Sequence, residues 1–329
     1  MPASPPTRRR PAITRNPRAS IGQCAPLLAL RANVLRAGVV LLLLLLASGC
    51  QVLRNCRVSE ESISAARQLS LQAMDAQQKG RWDQAEQLYV SAVQRCPKDD
   101  RARYGYAEAL WHRGAQQEAV AHMEEAVKLS GNDPERLVQL GRMYLERGEL
   151  HRADVRADKA LASNHQLAKA WALKGDIQER EGKKVEALAS FHRALAYQSH
   201  YPEVQLAVAE LYIQQDRSQR ALATLQALAT EYPRGEAPPN VLFREGLVLR
   251  KLGRYSDAAR CLAEAAGRGE PSTELLYELA QTQSLAGDSA SARLTAAAVL
   301  AREPNHPGCQ QLKDELENYR PQMAAAIQP

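Results

Sequence analysis

Phenylalanine and tryptophan are nearly missing from this chain, with two of the first and three of the second in 329 residues. A core without them must be built from aliphatic side chains and close backbone approach. Metal-ligand spacing is missing too. The six cysteines and seven histidines form no Cys-x-x-Cys or His-Glu-x-x-His pair, which removes the usual zinc signatures. No Gly-x-Ser-x-Gly elbow, phosphate loop or dinucleotide fingerprint occurs. These absences point to a chain that is not an enzyme and needs no metal, cofactor or small-molecule substrate. No apolar run is long enough for a spanning helix, which takes about 18 residues or more.

An excess of positive charge is missing as well, once its source is located. The chain carries 43 basic and 37 acidic residues, net +6. Seven of the arginines (Arg8, Arg9, Arg10, Arg15, Arg18, Arg31 and Arg36) lie in the first 49 residues, which hold no lysine and no acid. Without that segment, 36 basic residues face 37 acidic ones. The remaining domain gives no electrostatic reason to expect nucleic acid as a partner.

What is present is a 34-residue period that recurs seven times. Alanine stands at Ala85, Ala119, Ala153, Ala187 and Ala221, then, after a three-residue insertion, at Ala258 and Ala292. Five places earlier come Gly80, Gly114, Gly148, Gly182, Gly253 and Gly287, with Asp216 the exception. Starting the units at 66–99, 100–133, 134–167, 168–201, 202–235, 239–272 and 273–306 puts a small residue at the eighth place of each. Small residues there let the two helices of a unit approach closely, and the fifteenth-place glycine ends the first helix in the left-handed conformation. A fixed period of this length marks stacked supersecondary units, each burying its apolar face on the next.

The pattern resembles the tetratricopeptide repeat, most fully at Trp171, Gly175, Gly182, Ala187, Phe191 and Ala194. The resemblance implies an all-α fold, a right-handed superhelical solenoid of about seven helix-turn-helix units, with residues 307–329 forming a capping helix and tail. Arg103 and Gln205 depart from it at the usually apolar fourth place, so units two and five are expected to be looser.

In this family the first helices line a concave face, with places 2, 5, 9 and 12 pointing into it. Carried over, the resemblance gives Tyr104, Glu108, Trp111, Val138, Arg142, Leu145, Asp176, Glu179, Leu206, Glu210, Ile213, Phe243, Leu247, Arg250 and Tyr277 as a groove for a protein or peptide segment. Trp111 and Phe243 occupy no structural consensus place and make the groove apolar; interior packing of the superhelix, or contact between copies in a self-assembling structural protein, is the alternative. Asp176, Glu179 and Glu210 favour a partner segment in which basic and apolar residues alternate. The lysines and asparagines of the family's carboxylate clamp are absent.

The leader, residues 1–49, joins its arginines to an apolar core from Gly38 to Gly49, the length of a secretory signal. Ala47-Ser48-Gly49-Cys50 looks like a bacterial lipoprotein box, in which Cys50 becomes the lipidated first residue and residues 50–65 lead into the first helix. An uncleaved anchor and an ordinary signal stay open as alternatives. The expected location is the cell envelope, lipid-anchored, with the outer membrane facing the periplasm preferred because Gln51 is not the aspartate tied to inner-membrane retention. Cys56 and Cys96 bracket the first unit and are a possible disulfide in an oxidising compartment.

Overall fold

Helix follows helix in pairs. The computed structural model describes residues 60–233 and 235–315, and from Ile63 onward they belong to one compact unit. Its helices are α1 (Glu60–Gln78), α2 (Trp82–Arg95), α3 (Asp100–His112), α4 (Gln116–Leu129), α5 (Pro134–Glu146), α6 (Leu150–Ser163), α7 (Ala168–Arg180), α8 (Lys184–Tyr197), α9 (Pro202–Gln214), α10 (Ser218–Thr230), α11 (Pro239–Lys251), α12 (Tyr255–Ala266), α13 (Thr273–Leu285) and α14 (Ser289–Arg302). A further helix, α15, covers 307–315. Among the described residues there is no strand, and no helix is long and apolar enough to cross a membrane.

The turn inside each pair is closed by the fifteenth-place residue. Gly80 takes φ +72, and the bonds Gly80 N–H to Gln77 O (2.9 Å) and Arg81 N–H to Ala76 O (2.8 Å) close the end of α1. Asp216 adopts the same conformation, φ +59, and its turn closes through Arg217 N–H to Tyr212 O at 2.8 Å. The missing glycine therefore leaves the turn intact and puts a side chain where the other units have none.

The core is assembled from the recurring small residues. All seven twentieth-place alanines have 0% exposure. A Cβ on Gly175 would stand 2.5 Å from the Phe191 ring, and one on Gly246 would stand 2.6 Å from Leu262 Cγ, so the eighth place is where the two helices of a unit touch. Gly141 works between units, since its missing Cβ leaves room for Leu173 of α7. At the end of the array Leu312 of α15 is buried with Ala280, Ala292 and Ala296, and Cys309 with Leu276 and Val299, so α15 covers the last pair.

Polar residues at the fourth place bond locally, although Gln205 Oε1 is buried with no hydrogen-bond partner among the described residues. Arg103 Nε donates to Pro97 O at 2.7 Å, and Gln205 Nε2 to Glu231 Oε1 at 2.7 Å. Cys96 is a buried free thiol; Cys56 and Cys50 lie outside the described residues. Cys261 is also free, and burial, aided by the nearby Glu245 carboxylate, pushes its thiol up to about 12, which leaves it unreactive at neutral pH.

Candidate partner-binding face

The first helices of the pairs (α3, α5, α7, α9, α11 and α13) carry the fifth, ninth and twelfth places. Spacings of four and three residues put these on one helical face. The structure separates the expected groove residues into three stretches.

In the N-terminal stretch they bind one another. Tyr104 Oη donates to Glu108 Oε1 at 2.6 Å, Gln77 Nε2 to Glu108 Oε2 at 3.2 Å, and Tyr89 Oη to Gln77 Oε1 at 3.1 Å. Burial, with Glu108 as acceptor, pushes the Tyr104 hydroxyl well above the ordinary tyrosine range, so it stays a donor. Trp111 packs half-buried on the core and donates through Nε1 to Glu146 Oε2 at 3.0 Å.

In the central stretch the expected groove residues are more deeply buried. Val138 and Leu145 are buried (2% and 7% exposed), a correction to their expected place on an open surface. The cause is α7, which packs directly on α5 at Gly141. Arg142 Nη2 donates to Tyr201 Oη, at the far end of the fourth unit, at 3.1 Å. Asp176 and Glu179 are half-buried and make no ion pair among the described residues. Burial raises the Asp176 carboxyl to about 6, with Glu179 adding to the rise and Arg142 and Arg180 opposing it. Glu179 is raised in the same direction, by burial and then by Glu210.

In the C-terminal stretch the groove opens into a cleft of about 640 Å³. Glu210, Ile213, Leu247 and Arg250 converge on it, as do Gln281 and Ser284 of the ninth and twelfth places of the last unit. Arg250 Nη1 reaches Glu278 Oε2 at 2.5 Å and Gln281 Oε1 at 2.9 Å, and Arg244 Nε lies 3.5 Å from Glu210 Oε2. Tyr255 and Leu285 stay 36% and 55% exposed at its rim, and Leu312 and Glu315 of α15 form its end wall. Leu206 packs half-buried on the core. Phe243 and Tyr277 lie off the cleft: Phe243 lines a separate hollow with Pro239, Arg268 and Leu275, and Tyr277 accepts from Gln281 Nε2 at 2.8 Å.

Sequence reasoning missed Arg244, Lys251, Tyr255, Leu285, Glu278 and the α15 residues. Glu278 and Arg244 stand at the sixth place, a turn away from the second and ninth, so a wider stripe on the same face would have found them. The contribution of α15 follows from packing, and no periodic signal announces it.

The architecture is that of a helical-repeat protein of the class that serves protein–protein interaction. Family models described as tetratricopeptide repeat match residues 70–134, 180–237 and 243–307, and the chain belongs to that family. Among solved structures it is similar to a tetratricopeptide repeat protein from Parabacteroides merdae ATCC 43184 (TM-score 0.53, 16% identity, 77% of this chain and 99% of that one). It is also similar to YrrB, described as having an unusual peptide-binding site (TM-score 0.50, 18% identity, 58% of this chain and 97% of that one). A third similar structure is the APC/C hetero-tetramer Cut9–Hcn1 (TM-score 0.57, 14% identity, 75% of this chain and 48% of that one). These likenesses concern the fold. Over 252 residues the chain is 25% identical to cellulose synthase operon protein C of Pseudomonas fluorescens (strain SBW25), a match covering 70% of this chain and 19% of that protein. The chain thus spans about a fifth of that relative's length.

Proposed function

We propose that this protein is a non-catalytic scaffold, lipid-anchored in the cell envelope through Cys50, that holds a segment of a partner protein during assembly of an envelope complex. The observation that carries the binding part is the C-terminal cleft. Places chosen by repeat register alone converge there on an open volume with exposed apolar rim residues, and exposed apolar patches of this kind mark interaction sites. Leu247 and Ile213 offer apolar contact, while Arg250 and Glu278 offer a charge pair at the base, the mixture of anchor types that carries binding energy at interfaces.

A photo-crosslinking residue at Leu247 in the native host tests this. One dominant adduct is expected, absent when the probe is at the outward Lys128; adducts at both positions alike, or none, would sink the reading. A second reading, an accessory subunit of an envelope polysaccharide machine, is favoured by the similarity to cellulose synthase operon protein C. Under it the crosslinked partner is a polysaccharide-synthesis or export component, and deleting this protein changes one polysaccharide product.

A further inference from the structure

The cations that line the C-terminal cleft already have partners. Arg250 holds Glu278 in an ion pair and donates to Gln281 Oε1, and Gln281 Nε2 in turn donates to Tyr277 Oη. Arg244 lies against Glu210, and Lys251 Nζ is 2.7 Å from Asp216. Each cation of the cleft therefore faces a carboxylate of its own. The side chains left for a partner are chiefly apolar: Ile213 of α9 and Leu247 of α11, both half-buried, and Leu285 at the end of α13, 55% exposed.

This division decides the form of the occupant. An extended segment brings a row of backbone N–H and C=O groups, and those turned toward the cleft would lose water and need partners there. Side chains engaged with one another supply few. An α-helix carries its backbone hydrogen bonds internally. It offers a stripe of apolar side chains at i, i+3 or i+4 and i+7, the pattern by which helices dock in apolar grooves. Ile213, Leu247 and Leu285 come from the first helices of three successive units, so a stripe that meets them all runs across the units.

Charge sets the remaining requirement. Glu315 stands in the end wall of the cleft, where its carboxylate accepts from Gln311, one turn back in α15, at 2.8 Å and makes no ion pair among the described residues. On the other side Glu179 of α7, close enough to Glu210 to feel its charge, makes none either. The paired centre of the cleft is thus flanked by acids that a cation would complement.

We propose that the cleft receives an amphipathic α-helix of the partner protein, its apolar stripe on Ile213, Leu247 and Leu285 and basic residues toward its ends. This rests on the groove reading above and narrows it to one class of segment.

Two synthetic peptides of about 15 residues test it by fluorescence anisotropy against the full chain. Both have the same composition, leucine and glutamine with a lysine at each end. One places leucine at i, i+3, i+4 and i+7, and the other at every second residue. The first should bind with a dissociation constant on the order of 10 μM, about tenfold or more tighter than the second. Leu285→Gln, at an exposed place that leaves the core untouched, should weaken the first peptide about fivefold. Glu315→Gln should weaken it about twofold and flatten its salt dependence. Equal affinities, tighter binding of the alternating peptide, no binding of either, or indifference to Leu285→Gln would overturn the helix, even where a crosslinker at Leu247 still gives one dominant adduct. Loss of that adduct sinks the groove reading itself, and an unchanged salt dependence in Glu315→Gln overturns the cationic end.

Discussion

Gly175 and Gly182 do different jobs, and alanine separates them. At Gly182, φ is +77 and nothing lies within 4 Å of an added Cβ, so the Gly182→Ala cost is conformational, about 1–2 kcal/mol. At Gly175 the added Cβ meets the Phe191 ring at 2.5 Å. Overpacking of about 1–3 kcal/mol then opposes a helix-propensity gain of about 1 kcal/mol. Guanidinium denaturation should show loss of stability in both, with a shifted Phe191 environment only in Gly175→Ala. Asp176 adds a pH signature. Its folded carboxyl is raised to about 6 from the ordinary aspartate value of 3.8, so the folded state binds more protons than the unfolded one between these values. Its contribution is therefore greatest below the ordinary carboxylate range and is lost as pH rises through about 6. Relative to Asp176→Asn, the wild-type melting temperature should fall between pH 4 and pH 7; a constant difference would contradict the burial of the ionised group. Both glycine roles were legible in the sequence, because a conformation or a volume that recurs every unit shows as a period. The burial of Val138 and Leu145 was not, because it depends on how closely α7 settles on α5, which the register leaves open.

Single elements begin and end where their caps direct. Asp133 accepts from Arg136 N–H at 3.1 Å, with Pro134 at the first helical position of α5. Asp133→Ala should cost about 1 kcal/mol, measured by thermal unfolding, and Asp133→Ser should restore most of it. Ser272 and Asp288 cap α13 and α14 in the same way. Proline and aspartate state the start of α5 openly in the sequence. The turn before α11 was legible only as an insertion of three residues. Its organisation, with Ala237 buried and its carbonyl bound by Arg268, rests on a contact 31 residues away that no local signal carries.

For the molecule as a whole, the fold class was legible because seven weak local patterns agree, while the cleft was legible only in part, since α15, the sixth-place charges and Lys251, Tyr255 and Leu285 supply half its lining residues. Unit one has a core of small residues, with Tyr89 packed among Ala73, Ala76, Ala85 and Ala109. In a linear array each unit's stability comes from itself and its neighbours, so amides of α1 and α2 should exchange hydrogen before those of α7 and α8. Uniform exchange along the array would contradict this. The envelope reading is tested by Cys50→Ser, which should move the protein from the membrane to the soluble fraction and abolish labelling by radioactive palmitate. One link reaches beyond the helix contacts: Arg142 of the third unit bonds Tyr201, the residue that closes the fourth unit and stands at the cap of α9. Pulled from its ends, a chain of identical hinges yields one seam at a time, like a spring of uniform stiffness. Here the third coil is tied to the joint between the fourth and the fifth, so under tension the middle of the spring should resist while both ends stretch first.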